Sequence, residues 1–363
     1  MSEVPASVTA IMPVYNGLGY LTESLPPLLA LVEEGQLCEV LVVDDGSTDG
    51  SGEWAAQRGA RVMKSAGRVG PGAARNQAAR EARGDVVLFV DADVVIHPDA
   101  VRHLRKALES PDVVAVFGSY DDAPPDPAFA SQYMNLRHHH VHHEAAGEAS
   151  TFWAGCGAVR KEAFLACGGY DAERFARPSV EDIELGYRLR RAGGRIRLVP
   201  EMQGTHLKQW TTWSVIHTDV VCRALPWSRM LIREPEAVSD LNAGAAERIK
   251  AVIAGLLLLS IPAALMGGLW LLLPPALFAV AVLVNRGLFG VFRRRRGLAF
   301  AVGALAFHQL YYLYSGAAFV LCWFEHQLGM GKGPGASEPA STPENHGEGP
   351  LRPSKPSRSE RSG

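Results

Sequence analysis

The chain has 363 residues, 47% of them hydrophobic and 20% charged, and a formal net charge of -2. That length admits two ordinary domains or one domain with a membrane part. The near balance of charge excludes a nucleic-acid binder driven by a global positive field.

The first ~120 residues alternate between two periodicities. Val8–Val14, Val40–Val43, Val86–Val90 and Val113–Phe117 are short, β-branched-rich runs, the pattern of strands buried on both faces. Between them lie helix-like stretches at Tyr20–Glu33, Gly50–Arg58, Gly72–Arg83 and Asp99–Leu108. This order predicts an α/β fold with a parallel sheet and right-handed crossovers. Ligands of such sheets bind beyond the carboxyl ends of the strands, which is where Asp44, Asp45, Asp91 and Asp93 fall.

Residues 121–245 are mixed. A Pro-rich loop, DDAPPDPAF, leads into a helix-like stretch containing NLRHHHVHH. There Asn135, His138, His139 and His142 share a helical face at i, i+3, i+4, i+7, which suggests polar surface or a helix contacting an acceptor. TFWAGCGAVRKEAFLACGGYD, the acidic PSVEDIELGYRLRRAGG and a short strand, RIRLVP, follow.

After Lys250 the composition becomes that of a membrane domain, residues 246–328. Ala251 to Leu273 carries no charge and is long enough for a bilayer core of about 30 Å. Pro274 and Pro275 interrupt it. Ala276 to Phe292 is a weaker span, RRRR occupies 293–296, and a third apolar span runs from Gly297 to Phe324. With basic flanks held in the cytosol, two to three crossings are expected, three placing the 329–363 tail on the far side. That tail, rich in Pro, Ser, Gly and charge, reads as disordered. No cleaved signal peptide is expected, because MSEVPASVTAIMPV lacks a basic and then an apolar region. Five scattered cysteines without a CxxC pair fit reduced thiols.

Asp91 and Asp93 close the strand in DVVLFVDADVVIHPD. Carboxylates at the edge of a core need solvent, a partner or a cation. Hard oxygen ligands suit Mg2+ or Mn2+, which takes one or two carboxylates together with substrate phosphates. Further motifs accompany them in order: AIMPVYNG, VLVVDDGSTDGS, GRVGPGAARNQAARE and SVEDIELGYRLRRAG. Together they resemble the family 2 glycosyltransferases, inverting nucleotide-sugar enzymes of the GT-A fold, over roughly residues 6–230.

The resemblance implies a nucleotide-sugar-binding half (1–120) and an acceptor-binding, catalytic half (121–245). Pro13, Tyr15 and Asn16 would line the nucleotide pocket, Asp44 and Asp45 would reach the base and ribose, and Gly72 to Asn76 would bring backbone and Arg75 to the nucleotide. Asp93 would ligate the metal, Asp91 would contact ribose or a metal-bound water, and His206 would complete the metal shell or touch the diphosphate. Trp153 would stack on a sugar, with Gly155 allowing close approach. Asp182 matches the catalytic base, with Glu181 beside it. The implied activity is transfer of one sugar from a UDP- or GDP-sugar, and the expected membrane anchoring suggests a lipid or lipid-linked acceptor. It would take place at the cell (inner or plasma) membrane, in a multi-pass protein whose catalytic domain is cytosolic.

The family's Gln-x-x-Arg-Trp element has no intact copy, since Arg223 and Trp227 stand one position too far apart. RALPWSRMLIREP reads instead as a basic-aromatic segment at a membrane surface. The alternatives are a processive polysaccharide-building transferase and a non-catalytic nucleotide-sugar-binding scaffold.

Overall fold

The computed structural model describes residues 6–233 and 244–330, so the predicted tail beyond 330 lies outside the described residues. The elements begin β1 (Val8–Val14), α1 (Leu18–Glu33), β2 (Glu39–Asp44), α2 (Ser51–Gln57), β3 (Arg61–Lys64), α3 (Pro71–Glu81), β4 (Val86–Val90), β5 (Val94–Ile96), α4 (Ala100–Ala107) and β6 (Val113–Tyr120). The chain continues through α5 (Phe129–Glu144), β7 (Gly147–Ala149), β8 (Cys156–Arg160), α6 (Lys161–Ala166), α7 (Glu181–Arg191) and β9 (Arg195–His206).

The four predicted strands and four predicted helices of the first 120 residues all form. The prediction of a purely parallel sheet is corrected, because the sheet is mixed. Its order is β3-β2-β1-β4-β8-β6-β9-β5, with β7 paired to β9. The β3-β2-β1-β4 half is parallel, while β8 lies antiparallel between β4 and β6. Thus a strand from the second half of the domain enters the middle of the first half's sheet. RIRLVP is only the start of β9, which runs twelve residues and delivers His206 at its end.

Alternation of side chains divides the sheet between two cores. Val8, Ala10, Met12, Val86, Leu88 and Val90 pack with α1 and α4 on one face. Ile11, Val87 and Phe89 pack with α3, α6 and α7 on the other. Both faces are covered, which explains why these strands read as continuous apolar runs.

Beyond β9 come α8 (Thr212–His217), a π-helical turn over Thr218–Ala224, and α9 (Leu225–Arg233). Then follow α10 (Ala245–Ala264), a 3-10 turn over Gly268–Leu272, α11 (Leu273–Val284) and α12 (Arg286–Gln327), kinked at Gly297. The three predicted spans do not map onto three helices. The break comes at Gly267 and Gly268, both at positive φ (74° and 59°), where glycine escapes the Cβ clash. The prolines sit instead at the start of α11, where a missing N–H costs little. Asn285 separates α11 from α12, and its amide donates back to the Ala281 carbonyl. Among the described residues no single helix is both long and apolar enough to cross a membrane. The bent pair Gly268–Val284 and Arg286–Gln327, at 88°, meets the length and composition together.

Candidate active site

A cavity of about 2900 Å³ opens at the carboxyl ends of β1, β4 and β6, lined by Pro13, Tyr15, Asp45, Arg75, Asp91, Asp93, Trp153, Gly155, Glu181, Asp182 and His206. Eleven of the fourteen residues singled out in the sequence therefore share one space. The other three sit behind it. Asn16 accepts from the Thr48 N–H at 2.8 Å and takes φ 50°, tying the β1 loop to the β2 loop. Asp44 accepts from the Ser47 N–H at 2.8 Å, closing the loop after β2 as an Asx turn. Asn76 both donates to the Tyr170 carbonyl (2.7 Å) and accepts from its N–H (2.8 Å). These three hold the walls, and the turn chemistry of DDGSTDG describes Asp44 well.

Asp45 accepts from the N–H groups of Val69 and Gly70, both at 2.9 Å, and so shapes the loop ahead of α3. Arg68 from that loop lies over the Tyr15 ring, 4.1 Å from its centroid. This places a flat cation–aromatic pair at one end of the cavity.

Asp91 and Asp93 have different neighbours. The buried Arg75 guanidinium donates to Asp91 at 2.5 Å. Asp93 faces His206 Nε2 at 3.5 Å. Burial works to raise the Asp93 carboxyl, but His206 and then Lys208 outweigh it and hold it at about 2. His206 lies flat against Tyr120, with ring centroids 4.2 Å apart and planes 5° from parallel. Tyr120 also stacks with His138 at 5.8 Å and meets the Trp153 edge at 4.8 Å. Tyr120, His138, Lys208 and Arg223 also line the cavity; sequence reasoning singled out neither Tyr120 nor Lys208, and gave His138 only within a helix that could contact an acceptor. The position of Tyr120 as the last residue of β6 was the available signal.

Among the described residues no three His, Cys, Asp or Glu side chains come together as a complete metal cage. The Asp93–His206 pair with Asp91 nearby is an open donor set, suited to an ion that takes its remaining ligands from phosphates and water.

The start of α7 brings Glu181 and Asp182 into the same cavity. The Ala154 N–H lies 3.4 Å from Asp182 and the Ile183 N–H 2.8 Å. Burial, reinforced by the adjacent Glu181, pushes the Asp182 carboxyl up to about 7. Glu181 is also raised by burial, against the pull of Arg75, and accepts from the Ser179 N–H at 2.7 Å. One carboxylate is held at about 2 and another at about 7, charges and acidities suited respectively to holding a cation and to accepting a proton.

The histidine run separates into different tasks. His139 Nδ1 lies 2.9 Å from the Tyr120 carbonyl, and His143 Nδ1 2.8 Å from the His139 carbonyl. His142 is buried between Phe117 and Trp153. Only His138 of the run lines the cavity, kept neutral by burial and by Arg223.

Residues 9–168 match the model of the glycosyl transferase family 2. These residues, less than half of the chain, thus read as a family 2 glycosyltransferase domain. The domain is 30% identical over 125 residues to glycosyltransferase GlyG of Streptococcus pneumoniae, covering 33% of this chain and 40% of that protein. An N-acetylglucosaminyltransferase of Sinorhizobium fredii is 28% identical over 238 residues, 59% of this chain and 58% of that one. The chain thus spans about half the length of these relatives. In fold, the glycosyltransferase domain and its C-terminal helices resemble the mannosyltransferase PcManGT from Pyrobaculum calidifontis, solved in complex with GDP-Man and Mn2+. That match has a TM-score of 0.57 and 21% identity over 88% of each chain, so it extends past the sheet.

Proposed function

We propose that this protein is a membrane-associated, divalent-metal-dependent inverting glycosyltransferase that moves one sugar from a UDP- or GDP-sugar to a lipid or lipid-linked acceptor. The observation that carries the reading is that Asp182, raised to about 7, shares one cavity with Asp93, which faces His206 at 3.5 Å. A base poised near neutral pH is matched to taking a proton from an alcohol during attack. The acceptor oxygen forms the bond to the anomeric carbon from the face opposite the leaving group. The bond from that carbon to the diphosphate breaks, its electron pair leaves with the nucleoside diphosphate, and the hydroxyl proton passes to Asp182. Mg2+ or Mn2+, held by Asp93 and His206, would neutralise charge on the departing diphosphate. Tyr15 and Arg68 would pack on the base, and Arg75 would fix Asp91 for the ribose or a metal-bound water.

The membrane part of the reading rests on the apolar surface of α10 to α12 and on the extent of the cavity. The cavity continues past Arg223 and Leu225 to Cys322, Glu325 and Met330 at the end of α12. An acceptor with an apolar tail could therefore enter from the lipid side, in a protein bound at the inner or plasma membrane with its catalytic domain in the cytosol.

The test is release of nucleotide from a panel of UDP- and GDP-sugars by detergent-purified full-length protein. Assays contain Mn2+, Mg2+ or EDTA, with and without lipid extract. Metal-dependent release of one nucleotide, stimulated by lipid and lost in Asp182→Asn, supports the reading. No turnover and no nucleotide binding under any condition overturns it.

A further inference from the structure

The membrane-association reading leaves the path of the chain open, and the C-terminal helices carry geometry that bears on it. From Ala251 to Asn285 there is no Asp, Glu, Lys or Arg, and the stretch is closed by Lys250 at one end and Arg286 at the other. Those two ends meet. The Tyr312 hydroxyl of α12 lies 3.0 Å from Glu247 at the start of α10 and 3.0 Å from Asn285 at the end of α11. The chain therefore leaves and rejoins the rest of the molecule within reach of a single tyrosine.

The far end of the hairpin is its most apolar and exposed part. Leu265, Leu269 and Met266 are 88%, 84% and 72% exposed. A turn emerging into water on the far side of a bilayer would be expected to carry several polar groups, whereas in LMGGLWLLL the only side-chain one is the indole N–H of Trp270. Lys250 to Ala264 amounts to roughly 22 Å of helix, short of a core of about 30 Å.

The last helix cannot supply a further crossing without leaving the catalytic domain, because it touches that domain along most of its length. Phe300 packs on Phe129, Tyr133 meets His308 Nδ1 at 2.8 Å, Tyr314 donates to Asp219 at 2.8 Å, and Arg229 reaches Glu325 at 3.1 Å. A helix held in this way beneath a water-facing domain lies along the interface. The 88° bend between α11 and α12 then directs the hairpin towards the membrane interior. Arg248, Arg286, Arg293 and Arg294 are exposed on the residues flanking the hairpin, on the side where anionic headgroups would lie.

We infer that α10 and α11 form a re-entrant hairpin seated in an anionic bilayer, and that α12 lies at the interface, so that the chain returns to the face carrying the catalytic domain. The inference rests on the membrane-association reading and changes its expected topology from two or three crossings to none.

The experiment uses the full chain with a C-terminal epitope tag, in sealed vesicles containing anionic lipid. Protease is added outside, and the tag is followed alongside an epitope on the catalytic domain. Loss of both epitopes from the same vesicles is expected, whereas digestion of the domain with protection of the tag overturns the inference. In parallel, the double substitution Leu265→Glu, Leu269→Glu should lower the membrane-bound fraction at least about ten-fold. Unchanged retention would overturn hairpin insertion. Sidedness is read without turnover, so a failure of transferase activity in the same vesicles would count against the enzymatic reading and leave the topology result standing.

Discussion

Replacing Glu181 by Gln is the sharpest probe of the proposed base. Asp182 is raised to about 7 first by burial and then by the Glu181 charge beside it. If ionised Asp182 takes the acceptor proton, kcat/KM should rise by about ten-fold between pH 6 and pH 8, with a single-proton slope. Glu181→Gln removes the second cause of the shift and keeps the side-chain carbonyl that accepts from the Ser179 N–H. With the negative neighbour gone, Asp182 ionises more readily, so the acid limb should move below pH 7 and activity at pH 6 should rise relative to that at pH 8. Asp182→Asn should lower kcat/KM by about 10²- to 10⁴-fold and abolish that limb. The assay is nucleotide release at saturating metal across pH 5.5 to 9, with chemistry shown to be rate-limiting by single turnover. An acid limb unmoved by Glu181→Gln, or a limb that persists in Asp182→Asn, would refute the assignment of Asp182 as base.

Removing metal with EDTA should abolish turnover, and His206→Ala should raise the metal concentration for half-activation at least about ten-fold, measured by Mn2+ titration. Gly118→Ala should destabilise the domain by about 1–3 kcal/mol in denaturant unfolding, because a Cβ there would meet the Met202 carbonyl where β6 and β9 run together. Asp219→Ala should cost about 3–5 kcal/mol, since it leaves the buried Arg137 guanidinium without its bidentate partner at 2.8 and 2.9 Å. The double variant Arg137→Met, Asp219→Leu should be markedly less destabilised than Asp219→Ala, and equal losses in the two would deny that an unpaired charge is the cause.

The sheet and the floor of the site were legible because their signals are local. Apolar runs ending in DD and DAD marked strand ends, and Val-Glu-Asp before an i, i+4 apolar pair marked the start of α7. Three features were not legible, each for a physical reason. β8 is a short small-residue run whose place between β4 and β6 depends on pairing with residues about 40 and 70 positions away. Tyr120 and Lys208 enter the cavity through stacking and through the end of β9, which no spacing rule encodes. The apolar length after Lys250 was visible, but the consequence of adjacent glycines was not. At positive φ they fold one long run back on itself, where hydropathy alone reads successive spans.

The histidine-rich helix α5 takes its meaning from what it joins. On one side His138 stacks on Tyr120, and Tyr120 stacks on the His206 that faces Asp93. One position earlier Arg137 pairs with Asp219 in the π-helical turn, and Asp219 in turn accepts from Tyr314 of α12. Burial alone would raise Asp219, yet Arg137 holds it at about 2, so this connection stays charged through any ordinary pH. The Asp93–His206 wall of the cavity is thereby linked to the helix beneath the domain through rings and charge-assisted hydrogen bonds, with no loop in between. A π-helical turn costs regular hydrogen bonding and tends to persist where a side chain must be aimed. Here it aims Asp219 at Arg137 and, four residues on, Arg223 into the cavity. Loosening α12 should therefore act on the site through Arg223 and Tyr120. Tyr314→Phe, which deletes one hydrogen bond to Asp219 while keeping the ring, should change kcat/KM for a lipid acceptor more than it changes metal-dependent hydrolysis of the donor. Equal effects on both reactions would mean that the connection supports the fold alone.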